Sequence, residues 1–341
     1  MSARRRRPVS MADVARVAGV SAQTVSRVSN GYEGVVPETR QRVVAAMREL
    51  GYRPNAAARA LKRGSFHNIG VVMFDLTSTG NTSILAAISE SASAHGYNVT
   101  LMAPQTRTTA SISGAFDRLH ELLVDGVILV MESMPDDSED ATLTLPDVEH
   151  LVVVDSALGP DHAVVDTDQA SGTRSAVEHL LALGHETVHH ITGPAHSYSA
   201  QRREKAWREV LAAAGRRVPE PGRGDWSATS GYRAARGLLE DPTCTAVFCA
   251  NDEMSLGLLH AAQDMGRRVP EDLSVVGFDD IPLAADFAPP LTTVHQDFTA
   301  MGRACMARLV RMMRTGATET GQQLVPTSLV VRSSTTAPRR H

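Results

Sequence analysis

Residues 10–30 read Ser-Met-Ala-Asp-Val-Ala-Arg-Val-Ala-Gly-Val-Ser-Ala-Gln-Thr-Val-Ser-Arg-Val-Ser-Asn. Met11, Val14, Ala15 and Ala18 recur at helical spacing and make one apolar face. Ser10 precedes them with Asp13 three residues on, a capping-box start. Ala18-Gly19-Val20 reads as a tight turn. Ser21 is a good N-cap for a second helix, whose inward stripe is Val25 and Val28. A third helix is predicted from Pro37, suited to N1, to Leu50, with Gly51 as its stop. Val43, Val44, Met47 and Leu50 pack it onto the first two. Two short helices across a tight turn, braced by a third, make a helix-turn-helix.

That motif points to duplex DNA. Ala22, Gln23, Ser26 and Arg27 fall on the outer side of the second helix, and Gln23 and Arg27 share a face. Gln matches adenine and Arg guanine in the major groove, because each bonds bidentately to its base edge. The plain alternative for each is a solvated helix face. Ala22 offers only a methyl contact. Ser21 and Asn30 bracket the same helix, and Thr39, Arg40 and Tyr52 are candidates for phosphate contacts, which orient without specifying sequence.

Charge agrees with this split. The net charge of the 341 residues is −4, yet residues 1–63 hold 13 Arg or Lys against 4 Asp or Glu. The head is thus +9 and the remainder −13, an asymmetry that suits one end for phosphates. Arg4 to Arg7 form a basic arm over residues 1–9, with no apolar stretch after them to make a secretory signal. The 55–67 segment begins Asn-Ala-Ala-Ala-Arg-Ala-Leu. It favours helix but is too short to stand alone, so it is expected to order only against a partner or a groove, with Leu61 as a minor-groove wedge.

From residue 68 to 341 the pattern becomes βα alternation. Apolar runs suited to buried parallel strands fall at 69–74, 97–102, 126–131, 150–155, 163–165, 188–192, 246–250 and 273–278, with a last strand over 328–336. Helical segments fall at 84–95, 116–124, 169–183, 200–214, 231–239, 254–265 and 298–314. The fold expected is an all-α head on 10–54 plus an α/β body of two doubly wound lobes. Ligands in such sheets sit beyond the carboxyl ends of strands. That rule selects Asp75, Asp155, Asn251, Asp252, Asp279 and Asp280. With Arg203, Trp226, Gln296 and Phe298 they suit a sugar: carboxylates, amide and Arg bond hydroxyls while an aromatic ring stacks on a pyranose. Most strand-end acids are helix caps, and Asp252 is read as one. Successive strand residues point oppositely, so Asp279 and Asp280 cannot both face one ligand.

The three cysteines, Cys244, Cys249 and Cys305, lack CxxC spacing, so no disulfide framework or zinc site is suggested. No metal or cofactor is expected. No apolar run reaches a membrane span, and a cytoplasmic, nucleoid-associated protein is expected. An enzyme, for example a glycoside hydrolase using Asp155 and Asp279, finds no further support; His189 and His190 are read as structural. A periplasmic sugar receptor is disfavoured by the head.

The segments Asp13-Val14-Ala15, Gly19-Val20-Ser21, Thr24 to Val28 with Asn30, Thr39-Arg40, Tyr52 to Asn55 and Leu61 resemble the lactose-repressor (LacI/GalR) family of bacterial transcription regulators. So do Gly224-Asp225-Trp226-Ser227, Ala250-Asn251-Asp252, 276–280, 290–293, 296–298 and 328–330. The resemblance implies a periplasmic-binding-protein-like body and a repressor of sugar-utilisation genes that a small sugar, galactoside-like, releases from a pseudo-palindromic operator. It places Ser21, Ala22, Gln23, Ser26, Arg27, Asn30, Thr39, Asn55, Ala58 and Leu61 on DNA. It places Asp155, Arg203, Trp226, Asn251, Asp279, Gln296 and Phe298 on the effector, beside the strand-end Asp75. Val130 departs from it, standing where an Asn is expected. Another sugar or a purine-type corepressor is the alternative within the family. A homodimer is implied; no heptads follow the last strand, so no tetramerising coiled coil is expected.

Overall fold

The computed structural model describes residues 9–52, 65–133, 145–146, 148–155, 158 and 161–339. Asn55, Ala58 and Leu61, and the arm before residue 9, lie outside them. The chain divides into two compact units, Met1–Phe66 and His67–His341.

In the first unit, α1 spans Met11–Ala18, α2 Ala22–Ser29 and α3 Pro37–Leu50. The capping box forms: Ser10 N donates to Asp13 Oδ2 (3.0 Å) and Asp13 N to Ser10 Oγ (3.3 Å). Gly19 ends α1 at φ +64°, a conformation only glycine adopts without strain. Ser21 Oγ accepts from Thr24 N (3.1 Å) and so starts α2. Val14, Ala15, Ala18, Val25, Val28, Val43 and Ala46 close a small core, with Met11, Val44, Met47 and Leu50 packed around it. The apolar periodicity of the sequence accounts for all of these but Ala46.

The second unit holds two six-stranded sheets. The first contains β1 (Asn68–Val72), β2 (Asn98–Met102), β3 (Gly126–Val130), β4 (Leu151–Val154), β5 (Ala163–Thr167) and β11 (Gly321–Val325), in the order β11-β5-β4-β3-β1-β2, all parallel. The second contains β6 (His189–Thr192), β7 (Gly222–Arg223), β8 (Ala246–Cys249), β9 (Ser274–Asp279), β10 (Thr292–Gln296) and β12 (Thr327–Val330), ordered β12-β10-β9-β8-β6-β7. Among the described residues, only β12 runs antiparallel there. The helices are α4 (Thr79–Ala94), α5 (Thr109–Glu121), α6 (Gln169–Ala182), α7 (Tyr198–Ala213), α8 (Ala228–Leu239), α9 (Asp252–Asp264) and α10 (Phe298–Thr315). Each predicted strand and helix of the body has a counterpart; most ends shift by a few residues, but the helix expected at 116–124 starts seven residues earlier, at Thr109. The final strand is shorter, ending at Val330, and β7, β10 and β11 were unforeseen. β7 has two residues, and β11 (Gly-Gln-Gln-Leu-Val) carries two amides, so neither has the apolar run of a buried strand. Arg308 of α10 anchors β11, donating to the carbonyls of Val164 (2.9 Å), Gly321 (2.9 Å) and Thr320 (2.8 Å).

The chain crosses between lobes three times, after β5, β10 and β11. The crossings are tied together: Asp168 N donates to Val325 O (2.9 Å) and Thr327 Oγ1 to Asp168 O (3.1 Å). Helix α7 belongs to the second lobe, yet its Tyr198 is buried in the first lobe's apolar cluster with Phe116, Leu129 and Val153. On the far side, α8 and α9 approach until a methyl on Gly257 would lie 1.9 Å from Ala228 O. This close packing fixes the loops that carry Trp226 and Asn251.

Candidate functional site

The carboxyl ends of β1, β3, β4, β6, β8 and β9 converge on a cleft of about 670 Å³ between the lobes. All eight effector residues expected from the sequence line it: Asp75, Asp155, Arg203, Trp226, Asn251, Asp279, Gln296 and Phe298. Four lining residues take left-handed backbone: Glu132 (φ +60°), Asp155 (+48°), Trp226 (+73°) and Asp279 (+116°). Such strain persists where surrounding structure holds a side chain to a task.

On the second lobe, Arg203 is buried. Its Nε donates to Gln169 Oε1 (2.8 Å), its Nη1 to Ala250 O, and the same Nη1 lies 3.6 Å from Asp279 Oδ1. Its guanidinium sits 3.8 Å from the Phe278 ring centre. Gln296 Nε2 donates to Asp279 Oδ1 (2.6 Å). Burial pushes Asp279 up to about 7, against the pull of Arg203. Asn251 caps α9 through Met254 N (2.9 Å) and also holds Trp226 O (3.0 Å) and Glu253 Oε2 (2.8 Å). Its amide is therefore committed to protein partners. The Trp226 indole lies over Gly193, where a Cβ would come within 2.3 Å of the ring.

On the first lobe, Asp155 is pushed up to about 8, first by burial and then by Asp166. Its Oδ1 accepts no hydrogen bond among the described residues, with Arg202 Nη1 3.6 Å away. Arg202 bonds instead to Asp166, whose side chain is almost fully buried. Asp75 turns back onto its own loop, accepting from Thr77 N and Oγ1 (both 2.7 Å). Phe298 opens α10 and packs on the first lobe's core.

Two expectations are corrected or refined. Asp252 is not the cap of α9; Asn251 is. Asp252 is buried at the first helical position, where Oδ1 accepts from Thr293 Oγ1 (2.6 Å) and Oδ2 from Ile281 N (2.9 Å). It ties the chain just after β9 to the start of β10, the strands that carry Asp279 and Gln296. Asp280 lies just past β9 and points away from the cleft to Arg332 (2.6 Å) and His295 (3.0 Å), so the two acids do not face one ligand. His190 is buried against Phe248, and its Nδ1 donates to Phe248 O (2.8 Å); burial lowers it to about 4, so it is neutral core. Val130, the departure from the family pattern, is buried core beneath the cleft and does not line it.

Glu132, Asp166, Arg107, Asn81 and Gln169 also line the cleft and were not foreseen. The strand-end rule would have reached two of them, since Glu132 directly follows the 126–131 run and Asp166 the 163–165 run. Arg107 and Asn81 stand on a loop and a helix, where no such rule points.

In the head, Ser21, Ala22, Gln23, Arg27 and Asn30 are exposed, and Ser26 and Thr39 half-buried. Arg27 lies over the Tyr32 ring at 5.5 Å. Asn30 Nδ2 donates back to Ser26 Oγ (3.3 Å). Arg40 donates to Tyr32 O (2.6 Å), which fixes the loop before α3 and occupies one of its donors.

Comparison with known proteins settles the class. Residues 10–55 match the pattern of bacterial regulatory proteins of the lacI family, and residues 177–335 that of the periplasmic binding protein-like domain. The lactose operon repressor of Escherichia coli (strain K12) is 37% identical over 336 residues, 97% of this chain and 92% of its own length. The chain belongs to the lacI family. The regulator CelR of Thermobifida fusca is 37% identical over 343 residues, 97% of this chain and 99% of that protein. The structure superposes on a lac repressor dimer bound to operator and the anti-inducer ONPF with a TM-score of 0.86, at 36% identity over 97% of this chain and 100% of the other. A CelR–cellobiose complex matches at 0.69, with 31% identity over 96% of this chain and 100% of that one. This lacI-family chain is a DNA-binding transcriptional repressor, not an enzyme: a helix-turn-helix head on a two-lobed α/β body. No helix among the described residues is long and apolar enough to cross a membrane.

Proposed function

We propose that the body binds an uncharged sugar in the interlobe cleft and that this binding releases a homodimer from a pseudo-palindromic operator. The observation that carries the sugar reading is the wall composition. Trp226 offers a stacking face, and around it the carboxylates of Asp155, Asp166, Glu132 and Asp279 outnumber Arg203 and Arg107. With Asp279 and Glu132 at about 7 and Asp155 at about 8, the wall near neutral pH mixes carboxyls with carboxylates and can both donate to and accept from hydroxyls, which do both. What charge remains disfavours a sugar phosphate, and a purine would leave most of these groups unmet. A galactoside is the first candidate, given the relation to the lactose operon repressor.

On the DNA side, Gln23 and Arg27 project from the exposed face of α2 and read base edges, while Ser21, Ala22, Ser26, Asn30 and Thr39 complete the contact. Asn55, Ala58 and Leu61 would extend it, as the family resemblance implies. The protein then acts in the cytoplasm, where its operator is. Release is linkage: a sugar and an operator that favour different lobe arrangements weaken each other's binding, commonly by about 1–3 kcal/mol. The test is selection of binding sites from random duplex, followed by titration of the selected duplex by fluorescence anisotropy with and without sugars. A palindrome whose affinity falls about fivefold or more with one sugar is expected. No change with any sugar overturns the release mechanism, and no selected palindrome overturns the operator reading.

A further inference from the structure

The loop that follows α2 holds an aromatic ring against the helix's reading face. Gly31 takes left-handed backbone (φ +73°), its N donates to Val28 O (3.1 Å), and Tyr32 N donates to Arg27 O (3.0 Å). This pair of bonds closes a helix end and sets the residue after the glycine beside the helix's third-last residue. Tyr32 therefore lands on Arg27, whose guanidinium carbon lies over the Tyr32 ring, 5.5 Å from its centre. Two further contacts fix the stack. Tyr32 O accepts from Arg40 Nη2 of α3 (2.6 Å). Gly34 makes room for the ring, since a Cβ there would lie 2.5 Å from Tyr32 Cε1 and 3.1 Å from Tyr32 Oη. Tyr32 itself is 55% exposed and is not one of the side chains of the head's apolar core.

Such a contact leaves the arginine's chemistry free. An aromatic ring meets the flat face of a guanidinium, whereas a guanine edge is bonded by the N–H groups along its rim. A carboxylate neighbour would take those donors, as Asp13 does from Arg16 (2.6 Å). Among the described residues, none takes them from Arg27. A long arginine side chain gives up rotamer freedom when it docks on a base, and a ring that already holds it lowers that cost.

We infer that Tyr32 is a positioning residue for sequence recognition: it stacks on Arg27 and pre-sets that side chain to bond a guanine edge. This rests on the reading of Arg27 as a base contact. An exposed contact of this kind shifts an equilibrium by about two- to fivefold, so Tyr32 sharpens a preference that Arg27 creates.

The experiment is fluorescence anisotropy of the full chain on the palindrome selected from random duplex and on its single-base-pair variants. The proteins are the parent, Tyr32→Phe, Tyr32→Leu, Arg27→Ala and the Arg27→Ala/Tyr32→Leu double variant. The base pair at which Arg27→Ala relaxes preference is the one Arg27 reads. Tyr32→Leu keeps an apolar side chain on the turn without an aromatic face. It should lower preference at that pair by about two- to fivefold and leave the other pairs unchanged. Tyr32→Phe keeps the face and should match the parent, and Tyr32→Leu should change nothing once Arg27 is Ala. Should Tyr32→Leu fail to fold, Tyr32→Met repeats the comparison. No change in Tyr32→Leu, an equal loss on every duplex, a Tyr32→Phe that behaves like Tyr32→Leu, or a loss that persists without Arg27 overturns the positioning role while leaving the base contact intact. An Arg27→Ala that alters no base preference overturns both.

Discussion

Replacing Asp279 by Asn should stabilise the unliganded body above neutral pH and weaken its effector binding. Asp279 is 7% exposed, and burial holds its carboxyl at about 7 against an ordinary 3.8. A folded-state pKa above the unfolded one means the folded chain binds more protons, so this group's contribution to stability is greatest in acid. It is lost as pH rises from about 4 through 7. At 1.36 kcal/mol per tenfold in proton affinity, the full loss by pH 8 is about 4 kcal/mol, of which about 3 falls between pH 5 and pH 8. Asn has the same shape, and its Oδ1 can still accept from Gln296 while shedding the buried charge. The stability gained over the parent should therefore grow by up to about 3 kcal/mol from pH 5 to pH 8. Glu132 and Asp155, pushed up to about 7 and 8, give the parent a similar overall trend, so the difference between the two proteins is the informative quantity. Urea unfolding at the two pH values, followed by fluorescence of the buried Trp207, measures it. The same variant should bind sugar less tightly by about 1.5–3 kcal/mol, the worth of a hydrogen bond to a charged group. A stability difference that is equal at pH 5 and pH 8 would refute the argument, because the charge would then not be what the fold resists.

Three further outcomes are expected. Gly257→Ala must part α8 from α9, since its methyl would lie 1.9 Å from Ala228 O; overpacking of this kind costs about 1–3 kcal/mol, measured as a lowered urea midpoint. Arg202→Leu leaves Asp166, 1% exposed, without its ion partner, and should cost about 3–5 kcal/mol. Adding Asp166→Val should restore most of that, and a double-mutant cycle with no coupling would show that the pair is not a unit. Arg27→Ala should cost about 1–3 kcal/mol on the selected operator and relax preference at one base pair, whereas equal loss on all duplexes would mark Arg27 as a phosphate contact.

The sequence alone determined the head, because its helices, caps and turn are set by local signals. Met11, Val14, Ala15 and Ala18 recur within one helix, Ser10 pairs with Asp13 and Ser21 with Thr24, and the apolar stripe each helix presents leaves one way for α1 and α2 to pack on α3. It also determined most of the body's alternation and, through the strand-end rule and family resemblance, the eight cleft residues that the structure gathers. Tertiary structure decided the rest. Whether Asn251 or Asp252 caps α9 depends on Thr293 and Ile281, which reach Asp252 from other strands. Glu132 meets Asn81 and Arg107, 51 and 25 residues away, and Arg202 meets Asp166 only because α7 reaches across to the first lobe. Periodicity reports which face of an element is apolar. It carries no information about which polar side chain, across a cleft, that element will face.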